Sequence, residues 1–467
     1  MALLTGNIIG NLHIARQALM SQQVGINVVG QNVANVNTDG YTRKRLALEA
    51  QGNWGGVTVQ GIVRYTDEFA SARLVEEESS LGFFQQQSEI LEHVSDLFND
   101  LQDTGLGSAF DNFFGAMRTL ESNPSDLTAR MEVLVRGEEL SETFNRVSTE
   151  MESVRRGLDD LLRSSASEVN SRVEQIASLN KQISMQLALG NDASDNQDTR
   201  DRLILELAEH VHVNYIENQD GQYTVFLEGG MPLVEGNGFS TLYVSPTAAP
   251  GSAQVEYVSA NGTSTNITNR ITSSRMGATI DLRDDIIPSY QTELDQLAYD
   301  VVDAYNTQHN AGFGLDAVGG RDFFNDLGGV VANAAQNMML SADVDGIPEN
   351  VAAAGAATGA AGDNVNAIAL ANLPEQLLAS GGTLTFNEAY GNIVGEVGVD
   401  ARRANDSTKI TQNTIANVET IKDSASGVAL DEELTYMLAY QRAYQASARV
   451  ITTTDQMIQV VLGLGAS

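Results

Sequence analysis

IIGNLHIARQALMSQQVGINVVGQNVANV, residues 8–36, is the stretch whose reading decides the fold. Leu12, Leu19, Ile26 and Val33 recur every seven residues, with Ile8, Ala15, Gln22, Val29 and Val36 as a companion row. That period marks a helix carrying a coiled-coil seam. At the other extreme of the chain Leu430, Met437, Tyr444, Ile451 and Ile458 repeat at the same interval, beside Leu434, Gln441, Ala448, Asp455 and Leu462. One such stripe ordinarily packs on the core of its own domain. Matching stripes at both ends, each interrupted by polar residues, predict helices that pair with each other and with neighbouring subunits. The apolar positions of the first stripe offer about 10 to 25 kcal/mol if all are buried. Ordering its backbone costs roughly 1 to 2 kcal/mol per residue, so with one partner helix the segment is marginal. The ends are therefore expected to order fully only on assembly.

Immediately after the first stripe comes Asn35-Val36-Asn37-Thr38-Asp39-Gly40-Tyr41, a helix stop joined to turn chemistry. Gly40 can adopt the left-handed conformation at a helix C-terminus, and Tyr41 can fold back on the last turn. The charge distribution sets these ends apart. The chain has 467 residues, 61 Asp and Glu against 27 Lys and Arg, and a net charge of -34. Residues 1–50 carry a net +2 and residues 426–467 a net -2, so the centre holds all of the excess. Nearly neutral ends suit burial in protein, while the acidic centre keeps the chain soluble.

Working inward, Phe144, Val147, Met151, Val154, Leu158 and Leu161 lead into Val169, Val173, Ile176, Ile183 and Leu187. The eleven-residue step from Leu158 to Val169 is a stutter between heptad blocks. A rod of about 90 Å is expected over 127–189, unless it breaks near Ser164 to Ser167. Leu91, Val94, Phe98 and Leu101 mark a shorter helix, and Ile287, Leu294 and Val301 another that opens near Pro288. Between them Val211, Val213 and Tyr215 alternate, Asp220-Gly221 makes a turn, and Tyr223, Val225 and Leu227 alternate again. That is a β-hairpin signature, and Asn261-Gly262 supplies a second turn. Residues 328–385, rich in Ala, Gly and Asn, read as a poorly specified connection, and Val351 to Gly362 is assigned no structure.

The expected fold class is mainly α with an inserted β domain. It is an elongated multi-domain rod with its N- and C-terminal helices paired as a coiled coil, a long helical bundle, and a small β-rich outer domain. Residues 1–50 and 426–467 form the terminal coiled-coil domain. Residues 51–207 and 283–425 form the helical rod domain with its irregular 328–385 segment, and residues 208–282 form the β-rich outer domain.

The same composition excludes whole classes of chemistry. A surface this acidic repels nucleic-acid backbones and anionic lipid, so neither nucleic acid nor membrane is expected as a partner. No apolar run approaches the roughly 20 residues that cross a bilayer. The first residues lack a basic start and a continuous apolar stretch, so an ordinary cleaved signal is not expected. With no cysteine, thiolate metal sites, disulfides and cysteine nucleophiles are absent. Of five histidines only His210 and His212 could share a strand face, and two ligands do not make a metal site. The loop at Asp343, Asp345 and Glu349 lacks the alternating oxygens of a calcium loop. No lysine follows a glycine-rich turn, and neither a Gly-x-Ser-x-Gly elbow nor a His-Glu-x-x-His helix occurs. The basic run Arg43-Lys44-Arg45 reads as a solvated or salt-bridged strand start. No catalytic, metal or cofactor-binding residue is expected, and no cofactor.

The stretch from Asn32 to Tyr41 resembles the N-terminal signature of bacterial flagellar axial proteins, with Asn35, Thr38, Gly40 and Tyr41 at its recurring positions. The C-terminus resembles the flagellar hook-associated protein 1 family, the first hook-filament junction protein. The likeness runs through Leu430-Asp431-Glu432-Glu433, Tyr440-Gln441, Ala443-Tyr444-Gln445-Ala446 and Ala448-Arg449-Val450-Ile451. Two internal stretches agree, one from Arg200-Asp201-Arg202-Leu203 to Gly230-Met231-Pro232-Leu233-Val234, the other from Asp281-Leu282-Arg283-Asp284 through Gln308-His309-Asn310-Ala311-Gly312. Residues 328–385 find no match, and Ala429 stands where a polar residue is expected.

The resemblance implies a structural, non-enzymatic subunit that forms a ring or helical layer on the distal end of the hook, with both termini bundled in the inner tube. Its implied partners are other copies of itself, the hook protein, the next junction protein, and an export chaperone at the C-terminal helix. It implies secretion by type III export in a largely unfolded state, and a place at the hook-filament junction of the flagellum. The assembly interface would comprise Leu12, Leu19, Ile26, Val33, Leu430, Met437, Tyr444, Ile451 and Ile458. Rival readings are a rod or hook subunit, a flagellum-associated hydrolase using a carboxylate pair, and an acidic cytoplasmic coiled-coil scaffold. Rod and hook subunits generally pass from the shared N-terminal motif into β-rich segments, whereas a long helical pattern follows here.

Overall fold

The computed structural model describes residues 2–38, 40–51, 55–98, 105–246 and 251–465. The N-terminal helix α1 (Ala2–Ala34) lies antiparallel to the C-terminal helix α11 (Leu430–Gly465), with Asn32 beside Glu433 and Gly25 beside Tyr440. A Cβ on Gly25 would sit 2.8 Å from the Tyr440 ring, so glycine is what lets the two helices approach there. Between α1 and the body runs a hairpin that the hydrophobic periodicity does not reveal, β1 (Lys44–Ala50) and β2 (Val57–Arg64). Its register slips between Ala47 and Leu48. The hairpin runs back along α1, from Asn32, which bonds Lys44, to Ser21, whose hydroxyl donates to the Val57 carbonyl at 3.4 Å. The boundary expected at residue 50 therefore falls inside it.

The body begins with α2 (Glu68–Leu97), started by Asp67, whose side chain accepts from the Ala70 amide at 3.0 Å. It continues through α3 (Leu106–Ser122), α4 (Leu127–Ala188) and α5 (Ser194–His210). Leu101, expected in the first of these patterns, lies outside the described residues. Helix α4 runs unbroken for 62 residues, about 93 Å, straight through Ser164 to Ser167. Its two heptad blocks serve two different cores. Phe144, Val147, Met151 and Leu158 join an aromatic core with Phe110, Phe113, Tyr305, Phe323, Phe324 and Phe386. Leu162, Val169, Val173 and Ile176 join a second core with Leu203, Leu207, Val213, Val225, Leu233 and Val255. The stutter thus marks where the helix turns a different face to each core.

The β region holds two antiparallel sheets packed on the second half of α4. One orders β3 (Val213–Glu217), β4 (Tyr223–Leu227), β5 (Pro232–Glu235) and β6 (Gly238–Phe239), and the other β7 (Thr241–Val244), β8 (Val255–Val258) and β9 (Ser264–Asn266). The turns at Asp220-Gly221 and Asn261-Gly262 join β3 to β4 and β8 to β9, with positive φ at both glycines. Residues 274–281, expected inside the β region, are instead helix α6 (Ser274–Asp281). A single π-helical turn, Leu282–Ile286, connects it to α7 (Ile287–Asn310). Asp159 on α4 ties this corner together, accepting from Arg283 at 3.0 Å and from the Gly251 amide at 2.8 Å.

Residues 328–385 are a specific structure, against the expectation of a poorly specified connection. They carry α8 (Ala334–Asn337) and α9 (Val365–Asn372), and Val351, Ala352, Ala353 and Ala354 are all buried. His309 on α7 holds the segment in place, its Nδ1 bonding the Arg321 carbonyl at 2.7 Å and its Nε2 accepting from the Ala352 amide at 2.8 Å. Arg130 donates to the Val351 carbonyl, and Ala354 exchanges backbone bonds with Phe313. Small alanines carry little periodicity, but they let the backbone come close enough to satisfy its own hydrogen bonds against the body. The chain then enters α10 (Phe386–Ser426) through a capping box of Thr385 and Glu388, packs along α2, and passes into α11.

Candidate assembly interface

The first turn past α1 is built by short-range bonds. Asn35 Nδ2 donates to the Gln31 carbonyl at 3.0 Å, and the Thr38 hydroxyl to Asn35 Oδ1 at 3.2 Å. Gly40 takes φ 75°, the left-handed region where a side chain would be strained. Asp39 lies outside the described residues. These bonds return Tyr41 onto the helix it has just left, where its hydroxyl donates to Asn32 Oδ1 at 2.9 Å.

Asn32 is the centre of a buried polar hub. Its Oδ1 also accepts from the Lys44 amide at 3.0 Å, and its Nδ2 donates to the Lys44 carbonyl and to Glu433 Oε2, both at 2.9 Å. Both donors and both acceptor positions of the amide are used. Glu433, whose side chain is almost wholly buried, accepts from Arg43 at 2.7 and 2.8 Å. Arg43 in turn reaches Glu432 at 3.0 Å, and its backbone amide bonds the Ser426 carbonyl. One side chain therefore joins α1, the turn, β1 and α11. Burial works against the Arg43 guanidinium, yet Glu433 and Glu432 outweigh it and hold its pKa above the ordinary value. Burial, followed by Asp198, Asp195 and Asp192, pushes the Tyr41 phenol well above its usual range, so it stays a donor.

A second layer ties the hairpin to the body. Asp192, Asp195, Asp198 and Asp201 recur every three residues across the start of α5. Lys44, buried at its tip, pairs with Asp195, and Arg64 pairs with Asp198 at 2.7 Å and Asp201 at 2.8 Å. The Thr42 amide adds a bond to Asp198 at 3.3 Å. Asn32 and Glu433 enter the sequence reading only as members of the two motif stretches, Arg43 and Lys44 only as part of a short basic run, and Arg64 not at all. The available signal was the run itself, three cations in a strongly acidic chain, together with the three-residue spacing of the four aspartates.

The seam residues divide. Among the described side chains of α1 the buried apolar positions are Ile8, Ala15, Val28 and Val29, while Leu12, Leu19, Ile26 and Val33 are half-buried. On α11 Met437, Tyr444, Ile451 and Ile458 are half-buried on one face with Tyr440 and Val461, whereas Leu430 is 45% exposed at the helix start. Around α11 Tyr436, Leu438, Val450, Met457, Val460 and Leu462 remain exposed, an apolar surface that α1 does not cover.

The histidine pair is not on a strand. His210 ends α5, and His212 follows it with Nδ1 3.1 Å from the Ser79 hydroxyl. Among the described residues no group of three or more His, Cys, Asp and Glu is arranged to hold a metal ion, and no helix is long and apolar enough to cross a membrane.

Paired terminal helices, a polar hub joining them, and uncovered apolar surface mark this end of the molecule, and both termini match models of flagellar axial proteins. Residues 12–42 match the flagella basal body rod protein family and residues 423–464 the C-terminal family of flagellar basal body rod FlgEFG proteins. Residues 91–324 match the helical domain of the flagellar hook-associated protein FlgK, and the chain belongs to that family. Flagellar hook-associated protein 1 of Bacillus subtilis (strain 168) is 29% identical, covering 97% of this chain and 98% of its own length. Its counterparts in Salmonella typhimurium (strain LT2) and Escherichia coli (strain K12) are 26% and 24% identical, each over 96% of this chain and 99% and 98% of their own lengths. The solved structure of the flagellar hook junction protein FlgK from Burkholderia pseudomallei shares the fold. Its TM-score is 0.68 at 14% identity, over 76% of this chain and all of that one.

Proposed function

We infer that the protein is a structural subunit of the bacterial flagellum that forms the hook-filament junction, an adaptor layer on the distal hook end on which filament can grow. The observation that carries this reading is the match of residues 91–324 to the hook-associated helical domain, since the rod-type matches at the two ends are shared across axial proteins. In this reading α1 and α11 form the inner assembly domain, the helical body the rod, and the two sheets from β3 to β9 the outer domain. Met437, Tyr444, Ile451 and Ile458 align the α1-α11 pair. Asn35, Thr38, Gly40 and Tyr41 fix the angle at which that pair leaves the body.

The protein acts by assembling rather than by catalysis, using no cofactor. Its partners are further copies of itself, the hook protein and the next junction protein. It reaches the cell exterior by flagellar export, with a chaperone covering the apolar surface of α11 beforehand. Support for the last step is physical: Leu438, Val450, Met457 and Val460 are exposed in the lone chain, and such surface is unsafe before assembly.

The test is electron microscopy of isolated hooks incubated with labelled protein, then the next junction protein, then flagellin. Label confined to the free distal end, with filament growth only in its presence, is the expected result. Incorporation along the whole tube would mean a hook-type subunit, and no attachment would return the cytoplasmic scaffold to consideration.

A further inference from the structure

The basic run that starts β1 splits into two fates. Arg43 and Lys44 are neutralised inside the subunit by Glu433 and Asp195. Arg45 shares the Tyr436 ring with Arg43 but, among the described residues, has no carboxylate within ion-pair distance. Its Nη1 bonds the Tyr65 hydroxyl at 2.7 Å, and its guanidinium lies 6.0 Å from the Tyr65 and Tyr436 ring centres. The rings are open to solvent, Tyr65 at 43% and Tyr436 at 41%, as is Val63 directly across the strand pair at 54%. A cavity of about 60 Å³ opens here between α1, β1 and α11, lined by Arg45, Tyr65, Tyr436 and Tyr440 together with the already paired Arg43, Lys44 and Glu433. Aromatic walls fix a guanidinium while leaving its charge unspent. In a chain of net charge -34 an unneutralised arginine so held is a socket for a carboxylate.

The terminal pair itself holds a matching acid. Residues 2–34 contain no Asp or Glu, and after Glu433 the only acid of α11 is Asp455. Asp455 is exposed, and its recorded partner is the Gln459 amide at 3.3 Å. It sits on the same helix as exposed Met457, Val460 and Leu462, on a surface that self-assembly would bury. A buried carboxylate without a cation is costly. From Tyr436 to Asp455 is nineteen residues of continuous helix, about 28 Å.

We propose that the Arg45 socket receives Asp455 of a neighbouring copy of this chain, displaced by about 28 Å along the helix pair. The inference rests on the reading of the protein as a self-assembling junction subunit and names the contact that sets its stagger. Both residues are exposed, so their replacement leaves the subunit fold alone.

The experiment is hook-end decoration by the full chain carrying Arg45→Glu, Asp455→Arg, or both. Each single reversal should reduce decoration by roughly tenfold or more, and the double variant should recover it, because each contact then regains opposite charges. Loss in both singles without recovery in the double would overturn the pairing. So would a loss in Arg45→Glu alone, which would assign the socket to a different chain, or no loss in either. If the unaltered protein fails to decorate hooks, the junction reading falls and this contact with it. If the unaltered protein decorates and the swap pattern is absent, only the contact falls.

Discussion

Asn32→Ala should release the hairpin from the terminal helix without disturbing the body. The native amide makes four hydrogen bonds, to the Tyr41 hydroxyl, the Lys44 amide, the Lys44 carbonyl and Glu433, at 2.9 to 3.0 Å. Alanine keeps the helix and removes all four. The Lys44 peptide group and one Glu433 oxygen would then be left buried with partners missing. At about 1 kcal/mol for each neutral bond, and somewhat more for the bond to the carboxylate, the loss is about 4 kcal/mol. It falls on the docking of β1 against α1 and α11, because the aromatic core and the β-domain core share no residue with the hub. Native-state hydrogen exchange at the Lys44 amide reads this directly, and exchange should accelerate by roughly a hundredfold to a thousandfold. Amides of α4 should be unchanged. An acceleration below about threefold, or loss of protection spread evenly over α4, would refute the assignment of Asn32 as the local tie.

Further outcomes follow from other parts of the molecule. His309 is fully buried as the neutral ring that donates at one nitrogen and accepts at the other, and burial lowers its pKa from 6.5 to about 4. Its contribution is therefore complete above about pH 6.5 and is lost as pH falls through about 4, worth about 3 kcal/mol in all. Thermal unfolding between pH 7 and 4 should show this slope, and His309→Gln should flatten it. At Gly82 a Cβ would lie 2.2 Å from the Glu209 carbonyl oxygen, so Gly82→Ala must push α2 from α5 and should cost about 1 to 3 kcal/mol in denaturant unfolding. Ile451→Asp puts a charge on the face of α11 that meets α1. Hook-end decoration should be lost while the unfolding transition of the body is retained, and a collapse of that transition would contradict the separation of ends from body.

What could be read from the sequence is what periodicity carries. The seven-residue rows gave both terminal helices and their pairing, and the strand alternation with Asp220-Gly221 gave the first hairpin of the β region. The β1-β2 hairpin escaped because its inner face is Lys44, Leu46 and a half-buried Ile62, too mixed to alternate, and because its stability comes from long-range bonds to α1 and α5. Residues 351–354 escaped for a different reason. Short side chains bury little area and leave no pattern, and their order is imposed by His309, Arg130 and Phe313 from distant positions. At the hub the motif positions were legible, but Asn32 and Glu433 lie 401 residues apart, a pairing that no local reading can supply.

Helix α4 has a mechanical consequence. A single backbone of 62 residues contributes side chains to both cores, so the helical body and the β sheets share one continuous stiff element. Load on the β sheets is carried along one hydrogen-bonded strut to the aromatic core, so the two cores move together as one stiff arm.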